Sequence, residues 1–257
     1  MVRSADGYSR YGAATWRWWC EQNGAVFMLL DSPLGGERFS VLPPTFQRWL
    51  APDRLVESYG PDIEIAMVDA DTMIRWDAPS PFAEAAGRFS AVVDGGPRWI
   101  NRSITAFERF FPGVRAPWWE AFNCGVVIMS GRHPAMLRRF VEFSLARWPE
   151  LSAVIETKDV GTDQPLLNLY LRSVGEAVHR LPRAFNLLHC VNLSAIDAIV
   201  AASSPEEHAR IFSSPSLYDF VDLAYVWHFS NVVRDRETAM AETWARVSSN
   251  YRGATLG

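Results

Sequence analysis

The stretch Ile63–Ile74, IEIAMVDADTMI, constrains this chain more than any other. An apolar run ends in two aspartates separated by one small residue, and an apolar run then resumes. In an extended strand, residues i and i+2 share a side. Asp69 and Asp71 therefore present two carboxylates together where a buried strand leaves its sheet. Two like charges held out of water are costly unless something neutralises them. A hard divalent cation with oxygen ligands, Mn²⁺ or Mg²⁺, is the usual solution. Two protein carboxylates leave open coordination positions, and phosphate oxygens are natural occupants. The competing structural reading is a solvated pair in an acidic turn. The preceding apolar run favours a ligand site, because open α/β sheets bind ligands outside the carboxyl ends of their strands.

At 257 residues the chain is long enough for one large domain or two small ones. A content of 49% hydrophobic and 21% charged residues is that of an ordinary globular protein. The net charge of −4 gives no electrostatic reason to expect nucleic acid. Lys158 is the only lysine, and arginine, which dominates the cations, suits phosphate recognition. Cys20, Cys124 and Cys190 are odd in number and far apart, so they offer neither a disulfide framework nor metal spacing. A reducing, cytoplasmic setting is the expectation. No basic–apolar leader pattern opens the chain, and no apolar run approaches the roughly 18 residues of a membrane span.

Helical spacing predicts a helix over 8–23, and the apolar run Ala25–Leu30 reads as a strand. Pro43 and Pro44 open a helix. Strands are expected at 63–68, 90–93, 122–129 and 224–229, and helices at 133–148, from 163, and over 235–248. Residues 192–211 read as helical in parts. Residues 95–121 read as a loop rich in Gly, Pro and aromatics, and residues 232–257 as a helical tail. Alternating strands and helices predict one α/β domain spanning 1–257, a Rossmann-like mixed sheet flanked by helices.

Four further segments follow the aspartate pair in order: Phe122–Val126 (FNCGV), Gly161–Gln164 (GTDQ) with Leu166–Asn168, Leu181–Pro182 with Phe185–Asn186, and His228–Phe229. With these segments, residues 45 to 231 resemble metal-dependent retaining glycosyltransferases of the GT-A fold. The likeness is to the group containing glycogenin and the bacterial lipopolysaccharide galactosyltransferases. The resemblance implies transfer of a hexose or pentose from a nucleotide diphosphate sugar, a UDP-sugar first among candidates, to a saccharide or other hydroxyl acceptor. It implies Mn²⁺ or Mg²⁺ held by Asp71 and His228, with Asp69 on the metal or the donor ribose. Asn123 and Gly125 are implied to line the donor-sugar pocket. Asp163 is implied to hold sugar hydroxyls, and Gln164 to face the anomeric carbon. Asn186 matches a position after Leu-Pro. Tyr8 or Tyr11 is implied to stack on the base, and Arg48 to contact the nucleotide part.

Two departures from the family pattern stand out. Only Met1–Gly7 lies where the family places its first strand before the base-stacking residue. The family histidine is commonly followed by Gly and then Lys-Pro-Trp, whereas Phe229-Ser-Asn-Val-Val-Arg234-Asp235 follows His228. Arg234 is the substitute for the missing lysine that the sequence offers. Two other readings fit some of these features: a non-catalytic or degenerate nucleotide-sugar-binding protein, and a sugar nucleotidyltransferase. The second wants a Gly-rich, basic phosphate loop near the start, which the sequence lacks. The aromatic segment 95–121, with Trp99, Phe110, Phe111, Trp118 and Trp119, is the candidate acceptor platform, with a lid or a homodimer contact as alternatives.

Overall fold

The computed structural model describes residues 7, 9–94, 97–158, 160–188, 204–207, 223–230 and 236–256. The chain packs as two compact units. The first contains Leu29–Val68 and Ser80–Leu181; the second contains Ala5–Met28, Asp69–Pro79 and Pro182–Gly257.

Unit 1 is built on a four-stranded mixed sheet. Its strands are β1 (Glu64–Val68), β3 (Ser90–Val93), β4 (Phe122–Ser130) and β5 (His179–Arg180), in the order β1-β4-β3-β5. β4 is antiparallel to both neighbours, and β5 lies parallel to β3. As an interior strand, β4 is buried from Phe122 to Met129, which fits the apolar run Val126–Met129 that follows Asn123 and Gly125. The edge strand β1 alternates instead, with Ile65 and Met67 turned into the core. Its helices are α4 (Ala51–Tyr59), α5 (Pro81–Ala85), α6 (Pro97–Phe107), α7 (Pro134–Ala146), α8 (Trp148–Lys158) and α9 (Asp163–Ser173); α5 and α9 pack against β4, and the others pack on neighbouring helices. Pro52 begins α4 where its missing N–H costs nothing, and Gly60, at φ 88°, ends it before the turn into β1. Trp49, Phe46, Phe89, Phe107 and Phe140 fill the core between these layers.

Unit 2 carries a three-stranded sheet, β2 (Thr72–Ile74), β7 (Val226–His228) and β6 (Leu187–Leu188), in the order β2-β7-β6. Helix α1 (Ser9–Asn23) and the C-terminal helix Arg236–Val247 pack with it. Met73, Trp227, Phe229, Met240 and Tyr251 form its core. The Tyr251 hydroxyl donates to the carbonyl of Ile74.

Two expected elements differ. Ala25–Leu30 forms no strand: α1 closes on Gly24 at φ 66° with the Ala25 N–H bonded to Cys20 O, and no regular element follows over these residues. Val26, Met28, Leu29 and Leu30 are exposed. An apolar run becomes a strand only where a ladder partner waits, and none pairs with it among the described residues. Residues 95–121 are not simply loop. Pro97 starts α6, and short 3₁₀ turns follow at Glu108–Phe110 and Trp118–Glu120. Pro97 opens α6, and Pro117 stands just before the second 3₁₀ turn. Most of 192–211 lies outside the described residues. Cys20 and Cys124 are buried free thiols, and burial, with Glu21 nearby, pushes the Cys20 thiol up to about 11. No helix among the described residues is long and apolar enough to cross a membrane.

His133, at the start of α7, is buried in unit 1. Its Nδ1 lies 3.0 Å from Ser130 O, and its Nε2 3.6 Å from Glu176. Burial holds its imidazole below the usual 6.5, with Arg132 acting in the same direction, against the raising effects of Ser130 and Glu176. The unfolded chain therefore takes a proton on His133 at a pH where the folded chain does not, and stability falls as pH drops below about 6.5. Urea midpoints between pH 7.5 and 5.0 should fall more for the wild type than for His133→Leu; parallel curves would contradict this.

Candidate functional site

In unit 2 the aspartate pair sits on the turn between β1 and β2 rather than on a strand. The Thr72 N–H and hydroxyl both donate to Asp69 O, at 3.1 and 2.6 Å, and close that turn. Helix α1 grips it from outside. The Trp16 indole donates to Thr72 Oγ1 at 3.0 Å, and Ile74 N–H donates to Thr15 Oγ1 at 3.3 Å. Gly12 makes this approach feasible: a Cβ there would lie 2.6 Å from Thr72 O and 2.8 Å from Ala70 O. Gly12→Ala should destabilise unit 2 by about 1–2 kcal/mol, overpacking outweighing the gain in helix propensity. It should also weaken Mn²⁺ binding, and denaturant melts with a Mn²⁺ titration check both.

The same turn brings Asp71 to β7, where Phe229 N–H donates to Asp71 O at 2.9 Å. Thr72 pairs with His228 in the ladder. His228 Nε2 then lies 3.3 Å from Asp71 Oδ1 and 3.9 Å from Asp69 Oδ2. One ligand atom from each of the three lies within 4.8 Å of the others. In an octahedron with metal–oxygen distances of about 2.1 Å, adjacent ligands are about 3 Å apart and opposite ones about 4.2 Å. The spacing therefore suits one small divalent ion. The other side of the imidazole agrees, with Nδ1 2.9 Å from Asn186 Oδ1. An amide oxygen only accepts, so Nδ1 carries the proton and Nε2 turns its lone pair to the two carboxylates in the neutral ring.

Arg236 Nε approaches the other Asp71 oxygen at 3.3 Å. Burial pushes the Asp71 carboxyl up, but the His228 hydrogen bond and the charges of His228 and Arg236 outweigh it, and the group is held below its ordinary value.

In unit 1 a second cluster forms where β4 meets α9. β1 pairs only with Val126–Ser130, so the first residues of β4 find partners on α9. Asn168 accepts from Phe122 N–H at 2.9 Å and donates to Phe122 O at 3.0 Å. One turn earlier, Gln164 Oε1 accepts from Cys124 N–H at 3.1 Å and from Asn123 Nδ2 at 3.0 Å. Asn123 Oδ1 accepts from Gly125 N–H at 2.7 Å. Both amides also donate to Asp94 Oδ2, Gln164 at 2.8 Å and Asn123 at 3.2 Å. A register shift between Ala91 and Val93 re-aims the end of β3, on which Asp94 follows.

Asp163 has a separate shell. Its Oδ2 accepts from Arg48 Nη2 and from the Trp49 indole, each at 2.9 Å, and its Oδ1 accepts from Thr162 at 3.1 Å. The Arg48 guanidinium also stacks on Trp49. Arg48 is thus tied to Asp163.

The described structure joins Asp69, Asp71, His228 and Asn186 in unit 2. It joins Asn123, Gly125 and Gln164, and separately Arg48 with Asp163, in unit 1. Tyr8 and Arg234 lie outside the described residues, and Tyr11 is buried in the core of unit 2. Sequence reasoning missed Asp94, Gly12, Trp49 and Arg236. Asp94, between the strand and Gly95–Gly96, had the one usable signal: an aspartate at the carboxyl end of a buried strand.

No family model matches the sequence, and no curated protein matches it. Among solved structures, one similar to this chain is a glycosyltransferase involved in the glycosylation of the major capsid of PBCV-1. It has a TM-score of 0.53 and 16% identity, covering 93% of this chain and 94% of that one. The chain shares the fold of that glycosyltransferase. The α/β architecture with a mixed sheet that the sequence predicts is borne out. Mouse xyloside xylosyltransferase 1 matches with a TM-score of 0.40 and 14% identity over 73% of this chain and 63% of that one. The bifunctional glycosyltransferase WbbM matches with 0.46 and 13% identity over 97% of this chain and 48% of that one. Neither of these two adds weight to the fold.

Proposed function

We propose that the chain is a metal-dependent glycosyltransferase that moves a hexose or pentose from a nucleotide diphosphate sugar, a UDP-sugar first, to a hydroxyl acceptor with retention. The observation that carries it is the convergence of Asp69, Asp71 and His228, with Nδ1 of His228 held by Asn186. The shared fold supports sugar transfer as the chemistry.

In this reading Asp71 and His228 hold Mn²⁺ or Mg²⁺, and Asp69 holds the same ion or the donor ribose. A divalent cation there supplies Lewis-acid stabilisation of the charge that develops on the leaving diphosphate. Arg236, beside Asp71, takes the diphosphate contact that the family's lysine makes. Asp163 accepts sugar hydroxyls while Arg48 and Trp49 keep its carboxylate in place. Asn123 and Gly125 line the sugar pocket. Gln164 is neutral and a poor nucleophile, so it is assigned to stabilise the oxocarbenium-like anomeric carbon, its amide oriented by Asp94. The acceptor hydroxyl attacks the anomeric carbon from the side the diphosphate leaves. The new C–O bond forms as the sugar–phosphate bond breaks, and the hydroxyl proton passes to the departing phosphate.

Incubation with UDP-glucose, UDP-galactose and UDP-xylose plus Mn²⁺ tests this. Slow release of free sugar and UDP without acceptor, stopped by EDTA, is the expected result. Binding without release favours a non-catalytic donor binder. Pyrophosphate release from a nucleoside triphosphate and a sugar 1-phosphate favours a nucleotidyltransferase.

A further inference from the structure

Unit 1 leaves three tryptophans half open to solvent. Trp99 on α6 is 38% exposed, and Trp118 and Trp119 on the following 3₁₀ turn are 36% and 55% exposed. Large apolar rings are normally buried, and an exposed group of them marks a binding surface. α6 packs against both that 3₁₀ turn and α9. The Trp118 and Trp119 rings stand 5.8 Å apart at 85°, forming an open corner of two indole faces.

This aromatic surface is fastened to the polar cluster. Gly161, two residues before Asp163, has no room for a side chain: a Cβ there would lie 2.7 Å from the outer ring atoms of Trp99 and 3.0 Å from Pro165 Cδ. One helical turn beyond Trp99, Ser103 Oγ accepts from Gly161 N–H at 3.1 Å. Two residues on one face of α6 thus hold the turn that leads into Asp163 and Gln164. At the other end, Asp94 N–H donates to Ala121 O at 2.8 Å, one residue after the 3₁₀ turn that carries Trp118 and Trp119. The exposed rings and the Asp94–Asn123–Gln164 cluster therefore share one frame.

We propose that Trp99, Trp118 and Trp119 form the acceptor platform and that the acceptor is a pyranose residue of a glycan. This rests on the glycosyltransferase reading and names its acceptor class. A pyranose has an apolar face of C–H groups with partial positive charge, which suits the negative face of an indole. Its edge carries hydroxyls, which suit carboxylates and amides. A nucleic acid would stack on the same rings but wants surrounding positive charge. Arg98 and Arg102 flank Trp99 on α6, but Arg172 and Arg180 beside Trp118 and Trp119 are both paired with Glu120 and the chain's net charge is −4, which favours a neutral ligand.

Saturation-transfer NMR with maltotetraose, cellotetraose, xylotetraose and chitotetraose tests the platform without donor. At least one should receive magnetisation at its pyranose C–H protons. Trp99→Ala and Trp119→Ala should each lower its affinity at least tenfold. Tyr59→Ala, an exposed aromatic on α4, should not. Trp119 is the more exposed ring, so its variant keeps the test valid if Trp99→Ala fails to fold. No signal from any tetrasaccharide, equal affinity in the tryptophan variants, or signal from serine- and tyrosine-containing peptides instead would overturn the proposal. Donor hydrolysis by the wild type is measured alongside. Hydrolysis without glycan binding sinks the platform alone, whereas glycan binding without hydrolysis sinks the transferase reading and leaves a glycan-binding surface.

Discussion

Asp71→Asn is expected to lower Mn²⁺-dependent cleavage of the donor by about a thousandfold or more, the scale on which removing a group that stabilises developing charge acts. The amide keeps the shape of the side chain but removes the charge that faces His228 Nε2 at 3.3 Å and Arg236 Nε at 3.3 Å. Ion binding then depends on one carboxylate and one imidazole. The thermal response follows from mass action. At a hundredfold excess over its dissociation constant, an ion that binds only the folded chain stabilises it by about 2.7 kcal/mol. Mn²⁺ should therefore raise the melting midpoint of the wild type and leave that of Asp71→Asn in place. A variant that melts and turns over like the wild type would remove Asp71 from the metal site.

Asp163→Ala is expected to cost about 3–5 kcal/mol of stability, the scale of breaking a buried ion pair by removing one partner. Three donors lose their acceptor at once: Arg48 Nη2, the Trp49 indole and the Thr162 hydroxyl. The Asp163 side chain is 6% exposed and that of Arg48 17%, so the pair is largely withdrawn from bulk water and its loss is only partly offset by solvation. For a chain of this size the loss corresponds to a fall of about 10 °C in melting midpoint. Arg48→Met alone should also destabilise, by leaving the carboxylate unpaired. The double variant Arg48→Met/Asp163→Ala should lose clearly less than the two single losses added together, because both buried charges are then gone. Additive losses in that cycle would show that the two side chains do not act as a pair.

The parts of this structure that were readable in the sequence have local causes. The mostly apolar segment Phe122–Met129 reads as a strand, and it is one, buried along that whole length. The apolar run that ends at Val68 places Asp69 and Asp71 just past β1, although that strand is half-buried rather than buried throughout. His228 needed more than local pattern: one histidine on an apolar run gains meaning only from the order of segments around it. What was not readable depends on pairing across the chain. Ala25–Leu30 has the composition of a strand and no ladder partner among the described residues. α6 was hidden by its opening residue, because Pro97 starts the helix but reads as part of a loop. Gly12 looks like a weak point in a helix until α1 is seen lying on the carbonyls of Ala70 and Thr72. Arg236 reaches Asp71 only because the C-terminal helix packs back onto the unit, a contact that no spacing encodes.

The central claim is a divalent-metal site that recruits a nucleotide diphosphate. Calorimetric titration of UDP into the full chain, once with Mn²⁺ and once with EDTA, tests it most directly. The account predicts saturable binding with Mn²⁺, lost in EDTA and lost in Asp71→Asn. Equal binding in all three conditions, or no binding with Mn²⁺, would contradict it.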